Sequence, residues 1–314
     1  MLTTFTVTLR AVALLLIIAI PGYLLMKRRM LSESCIPGFS KVLLFVCQPC
    51  LAVFSFRDVP LSGEMIKNIL LFAVFVIAVH AIMLGASYLF LKKKYKKAIY
   101  RIITIGTTFG NCAFFGIPII EALMPETASG VIVYTTVYAV IMNVLGWTVG
   151  SAIISGDMKY ISVKKIFFNP AMIGTLVAMM IYLTGIDFPS DMDSMIECTA
   201  RMATPLSMLI MGMRLATINF TDMLRNKRIY LTVAVKHILM PVLAFAIVLV
   251  FAGVNLDMRR TLFILCACPI ASIVLNFSEI VGEGQRDAAN LVLVSTILSI
   301  VTLPFMMLLM PFIV

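Results

Sequence analysis

The chain has 314 residues, 61 % of them hydrophobic and 13 % charged, about half the charged share of an average soluble domain. A mean hydropathy of +1.07 over the whole length, with no polar half, excludes both an ordinary soluble enzyme and a soluble domain on a single anchor. Lys and Arg outnumber Asp and Glu by 25 to 15, an excess that a multi-pass membrane protein places in its cytoplasmic loops, so no nucleic-acid partner is expected.

Apolar runs bounded by charges or by Gly and Pro clusters predict ten spans, at 4–26, 38–56, 67–91, 100–122, 128–154, 164–186, 195–217, 229–252, 260–282 and 287–313. The first run is read as a mature helix, because it lacks the charged start, short apolar stretch and cleavage site of a leader. The connections are too short for a soluble catalytic domain. No zinc-ligand spacing, phosphate loop, nucleophile elbow or pair of catalytic carboxylates appears, so the expectation is no enzyme, no metal and no cofactor. The seven cysteines are odd in number and fall mostly in apolar runs, which argues against a disulfide framework.

With the N-terminus outside, the inside loops and helix ends collect 19 of the 25 Lys and Arg. They include Lys27, Arg28, Arg29, Lys41, the run Lys92 to Lys97, Arg101, Lys159, Lys164, Lys165, Arg214, Arg225, Lys227, Arg228, Lys236 and Arg286. The other side gathers Asp187, Asp191, Asp193 and Glu197 in one connection. Both termini are therefore expected outside a cell membrane, with membrane lipid as the surrounding partner.

The two halves, 1–157 and 158–314, read as copies of each other. Arg101 and Arg259, Asn111 and Pro269, Pro118 and Asn276, and Glu121 and Glu279 are each 158 residues apart; His80 and His237 differ by 157, Pro49 and Pro205 by 156. Five spans per copy is an odd number, so the second copy enters the membrane from the opposite side. The predicted fold class is an all-α membrane protein of two inverted five-helix repeats, in which broken helices at equivalent positions point to a substrate site.

Those breaks fall in spans four and nine. TFGNCAFFGIPIIEAL carries Gly110, Asn111, Gly116 and Pro118, and ILCACPIASIVLNFSEIVGEG carries Pro269, Ser272 and Asn276. Proline removes a donor, glycine relaxes the backbone, and such a break persists in lipid only where other groups satisfy it. Crossing half-helices would present N-terminal N–H groups to an anion, with Asn111 and Asn276 adding amides. The plainer alternative is that each proline only bends its helix.

Other residues carry two readings each. His80 and His237, deep in their spans, are either proton-coupling groups or neutral imidazoles bonded to a neighbouring helix, with Lys236 beside His237 read as a snorkelling helix end. Glu121 and Glu279 either bind or gate a cation or are simply solvated. Arg201 and Arg214 are read as interfacial anchors, Arg201 with an open role toward the anion. Cys47 and Cys50 have CxxC spacing inside an apolar helix, without the context of redox chemistry; Gln48 between them is read as facing the site or a neighbouring helix.

GNCAFFGIPII, the segment Asn143 to Gly146, FFNPAMIG and TPLSMLIMGMRLA together resemble the auxin efflux carrier family, including its bacterial members, over all ten spans. The resemblance implies the crossed-helix fold also found in bile acid sodium symporters. It implies a scaffold domain from spans one, two, six and seven (4–56 and 164–217) and a transport domain from the rest (67–154 and 229–313). It further implies a homodimer through the scaffold, elevator-like alternating access and small organic anions as substrates. By matched motif, Asn111, Gly116, Pro118 and Pro269 would border the substrate, with Asn143 a weaker candidate. The plant members carry a long hydrophilic central loop, whereas only a short connection near Ser155 to Lys165 stands here, so plant-style phosphoregulation is not expected. Two rival functions are kept: a sodium-coupled symporter of the bile acid type, and an anion channel or non-transporting sensor. Whether H⁺ or Na⁺ couples is left open.

Overall fold

The computed structural model describes residues 2–57, 59–157, 168, 170–218, 226–251 and 254–313. Lys159, Lys164, Lys165 and Arg225 of the expected inside set, and Asn169 of the FFNPAMIG stretch, lie outside the described residues.

The regular secondary structure of the described residues is helical, apart from one isolated antiparallel bridge between Gly110 and Ile270. In chain order the helices are α1 Leu2–Lys27, α2 Glu33–Phe56 and α3 Gly63–Lys94, α4 Ala98–Gly106, α5 Cys112–Leu123 and α6 Gly130–Ser155. There follow α7 Pro170–Thr184, α8 Ser190–Arg201, α9 Ala203–Thr217, α10 Lys227–Val250, α11 Leu256–Ala267, α12 Ile273–Val281 and α13 Gln285–Phe312.

Six of these, α1, α2, α3, α6, α10 and α13, are long and apolar enough to cross a membrane as single helices. The other predicted spans are not single long helices, for identifiable reasons. Spans four and nine are each split into two half-helices, α4 with α5 and α11 with α12. Span seven opens in α8, whose Asp191, Asp193, Glu197 and Arg201 make it polar, and only α9 is apolar. Span six is represented by the 15 residues of α7.

Local sequence sets the helix starts. Ser62 caps α3 by accepting from the Met65 N–H at 3.1 Å, Asn226 caps α10 by accepting from Arg228, and Asn255 caps α11 by accepting from Met258 at 3.0 Å. Packing is closest between α1 and α9. A Cβ on Gly22 would strike the Leu209 carbonyl and one on Gly212 the Ala19 carbonyl, so two glycines let the backbones touch. Helix α2 lies against α7 and α8, with Gly174 over Pro49. Helices α3, α6, α10, α11 and α13 enclose a core that includes Phe72, Val76, Tyr138, Leu262, Phe263 and Leu291. Leu14, Ile17, Phe45, Leu70, Val74 and Phe90 point outward, an apolar exterior suited to lipid.

The two chain ends meet: the Phe5 and Phe305 rings are 5.3 Å apart, and Arg260 donates to the Ile313 carbonyl at 3.3 Å. At that same end Arg57 binds Asp193 and Glu197, each at 2.6 Å, and Arg201 binds Glu197 at 2.8 Å. At the lysine-rich end, Arg101 ties Glu283 and the Ser155 carbonyl.

Candidate functional site

The two broken helices satisfy each other. After α4 ends at Gly106, the chain is non-helical to Asn111; after α11 ends at Ala267, Cys268 turns extended and Pro269 has no N–H to give. The Asn111 N–H donates to the Pro269 carbonyl at 2.7 Å, and the Ala271 N–H donates to the Phe109 carbonyl at 2.9 Å. The Ile270 N–H donates to Ser295 Oγ at 2.8 Å. Backbone groups freed by the breaks thus find partners within the protein, as apolar surroundings require.

A cavity of about 240 Å³ lies on one side of this crossing. Its polar lining comes from Ser40, Gln48, Asn111, Asn143, Ser207, Arg214, Ser272 and Asn276, and its apolar walls include Phe114, Met211, Trp147 and Phe277. Cys112, Ala113 and Phe114 of the first turn of α5 reach it, as do Ser272 and Ile273 at the start of α12. The first N–H groups of a helix have no partner within it and carry partial positive charge, so two half-helices direct donors at one space. Among the described residues the side-chain amides of Asn111 and Asn276 have no partner, whereas Asn143 Nδ2 donates to the Ala139 carbonyl at 2.9 Å. Gln48 Oε1 is buried without a partner among the described residues. It also borders an adjoining cavity of about 30 Å³ with Thr135, whose buried hydroxyl is likewise unpartnered; that is the room of a single water.

The predicted site residues therefore divide. Gln48, Asn111, Asn143, Ser272 and Asn276 line the cavity, and Gly116, Pro118 and Pro269 do not. Pro269 supplies the carbonyl that holds Asn111. Gly116 faces α11, where a Cβ would come within 2.6 Å of Leu265 Cδ2, and Pro118 opens the regular helical turns after the wide π turn Cys112–Gly116.

Charge departs from the sequence reading in three places. Arg214 is a cavity-lining residue rather than only an anchor, and it binds Glu279 at 3.0 Å. Glu121 is bound by Arg201 at 3.5 Å, so neither carboxylate at the half-helix ends is simply solvated. The lining extends from the crossing toward Arg214 and Ser40, while the Arg201–Glu121 pair stands at the other end, outside it.

Lys236 is the third departure. The π turn Val235–Leu239 widens α10 and brings the consecutive residues Lys236 and His237 both into the interior, at 0 % and 1 % exposure, so Lys236 does not snorkel. Its Nζ donates to the Cys266 carbonyl at 2.8 Å. His237 bridges Thr302 at 2.6 Å and Ser295 at 2.8 Å, and Ser295 in turn holds the Ile270 N–H, so the imidazole reaches the crossing through one hydroxyl. His80 bonds the Val76 carbonyl of its own helix at 2.7 Å, packs edge-on to Tyr138 and leaves Nε2 buried without a partner among the described residues. Neither histidine lines the cavity. Cys47 and Cys50 are free thiols. A lysine next to a histidine reads most simply as a polar helix end, which is why the sequence missed Lys236; its one signal was a lysine within an otherwise apolar stretch, VAVKHILM.

No curated protein matches the chain. The family model for membrane transport proteins, that of the auxin efflux carriers, matches residues 7–307, and the chain belongs to this family of transporters.

Proposed function

We propose that the protein is a secondary carrier of small organic anions, mono- or dicarboxylates, which binds them where α4 and α5 cross α11 and α12. The observation that carries this reading is the meeting, at one cavity, of two half-helix N-termini with the unengaged amides of Asn111 and Asn276. Hydrogen bonds to a charged group contribute about 1.5–3 kcal/mol each, so a few such donors suffice for useful affinity. Arg214, already paired with Glu279, adds a cation at the cavity wall that the anion can share.

The architecture we infer is ten crossings in two inverted five-span repeats, 1–157 and 158–314, with both termini outside the cell membrane. Phe5 against Phe305 supports the termini sharing one side, and the lysine-rich opposite end supports that end as the inside. Spans one, two, six and seven form the scaffold and the other six the moving body. Close packing of α1 on α9 and of α2 on α7 and α8 favours that division. Exposed Ile173, Leu176, Val177 and Met180 on α7 give the scaffold an apolar face for a second protomer. Substrate crosses as the six-span body slides, opening the cavity first at the Arg214 end and then at the Arg201 end. For an uncoupled monovalent anion the membrane potential contributes about 2.3 kcal/mol per 100 mV toward the positive side, which favours export.

The test is counterflow in liposomes. Purified protein is screened with malonate, malate, lactate and indole-3-acetate, with pH and sodium varied separately. Saturable counterflow that Asn111→Ala abolishes supports the carrier and its site. Folded protein that exchanges no carboxylate contradicts it; unsaturable flux would instead mean a pore, and binding without flux a sensor.

A further inference from the structure

Among the described residues Lys236 is the one fully buried lysine, and the carrier reading gives it no task. It donates to one carbonyl oxygen, and two more carbonyl oxygens stand close by. Beyond its 2.8 Å bond to the Cys266 carbonyl, it stands beside Gly110, where a Cβ would lie 3.1 Å from Lys236 Nζ, 3.3 Å from the Leu265 oxygen and 3.5 Å from the Cys268 oxygen. Leu265 and Cys266 belong to the last turn of α11 and Cys268 follows it, so these oxygens form the C-terminal end of a half-helix, which carries partial negative charge. No carboxylate among the described residues pairs with this lysine. A cluster of carbonyls at the C-terminal end of a broken helix is what sodium-coupled carriers use to hold their ion.

We propose that Lys236 is a built-in cation of the crossing: its ammonium fills the carbonyl cluster at the end of α11 that would otherwise bind a coupling sodium ion. Anion binding and transport then need no sodium. The anion sits at the N-terminal ends of α5 and α12, and the ammonium sits at the C-terminal end of α11. Because both belong to the same body, the loaded crossing moves with one negative charge offset and a smaller desolvation cost. Gly110 follows from the same arrangement, since a larger residue would occupy the space of the ammonium.

This inference rests on the carrier reading for its consequence but not for its test. Thermal unfolding of the purified protein, without substrate, is compared in sodium chloride and in choline chloride at equal concentration. Wild type is expected to unfold at the same temperature in both salts. Lys236→Ala, which vacates the carbonyl cluster, is expected to gain about 3 °C in sodium, the size of effect that a ligand held near tenfold above its dissociation constant gives. Lys236→Met fills the space without charge, so it is expected to ignore sodium and to bind carboxylate at least tenfold more weakly than wild type. Sodium stabilisation of wild type, indifference of a folded Lys236→Ala to sodium, or unchanged carboxylate affinity in Lys236→Met would overturn the proposal. If neither variant folds, the wild-type comparison decides alone. Should no carboxylate bind at all, the salt comparison still reads the cation site, so failure of the carrier reading and failure of this one are distinguishable.

Discussion

The two breaks at the crossing have matched backbones and unmatched side chains. Each sits about ten residues into its span, each starts a second half-helix, and each lends the other a carbonyl and takes an N–H. Around the second break, however, α10 supplies Lys236 to a carbonyl and, through Ser295, His237 to the Ile270 N–H. The same ammonium stands beside Gly110 of the first break, but among the described residues the first repeat's own helices supply no second cation there. The first break is steadied by hydroxyls, with Ser87 on Thr107 at 2.8 Å and Tyr95 on Thr104 at 2.8 Å, and His80 bonds only within its own helix. Two breaks can therefore share a backbone path and still differ electrostatically, with the Lys236 ammonium behind the crossing and the amides of Asn111 and Asn276 in front, where Arg214 also lines the cavity.

Position 110 and its counterpart 268 test that asymmetry most severely. Gly110→Ala puts a methyl against Lys236 Nζ and two carbonyls, and we expect carboxylate binding to fall at least tenfold. Cys268→Ala, which only deletes a buried thiol bonded to the Ile264 carbonyl at 3.4 Å, should bind within about twofold of wild type in the same titration. Equal losses at both positions would mean the breaks are chemically equivalent.

Next in size are the amides. Asn111→Ala and Asn276→Ala each remove donors from the cavity without unpairing a protein group, so each should weaken binding by about tenfold while leaving the unfolding temperature unchanged. Histidine replacement should show the reverse pattern. His237→Ala leaves Ser295 and Thr302 without their ring partner, so it should cost stability of about 1–3 kcal/mol and lower the unfolding temperature. His80→Gln should leave stability nearer to wild type, and its effect on the pH dependence of uptake decides whether His80 couples protons: a flattened profile says that it does, an unchanged one excludes it.

The smallest effects belong to the two ion pairs at the half-helix ends. Arg201 and Arg214 are partly exposed, and such pairs contribute about 0–1 kcal/mol to stability. Arg201→Gln should scarcely move the unfolding temperature yet shift the carrier toward opening at that end, read as faster alkylation of a cysteine introduced beside Glu121. Arg214→Gln should also weaken anion binding a few-fold, because, of these two arginines, it is Arg214 that lines the cavity.

The breaks were legible in the sequence because glycine and proline act locally: Gly110, Gly116, Pro118 and Pro269 declare irregular backbone without knowledge of any neighbour. Residues whose role depends on a distant partner were not. The pairing of Arg214 with Glu279 spans 65 residues, and nothing near Arg214 distinguishes it from an interfacial anchor. Lys236 was hidden by a change of helical period, since the π turn that buries it leaves no mark in the amphipathic pattern. Gly116 and Pro118 read as binding residues because their motif is distinctive, but they shape the half-helix rather than wall the cavity. The predicted start of span seven falls inside α8, because hydropathy averaged Glu197 and Arg201 into the apolar α9.

The central claim is that the crossing is an anion site, and counterflow of a labelled short-chain carboxylate by wild type, Asn111→Ala and Cys268→Ala in matched liposomes tests it most directly. The account predicts saturable exchange by wild type and Cys268→Ala, and little by a folded Asn111→Ala. Exchange by Asn111→Ala at the wild-type rate and affinity would place the anion somewhere else.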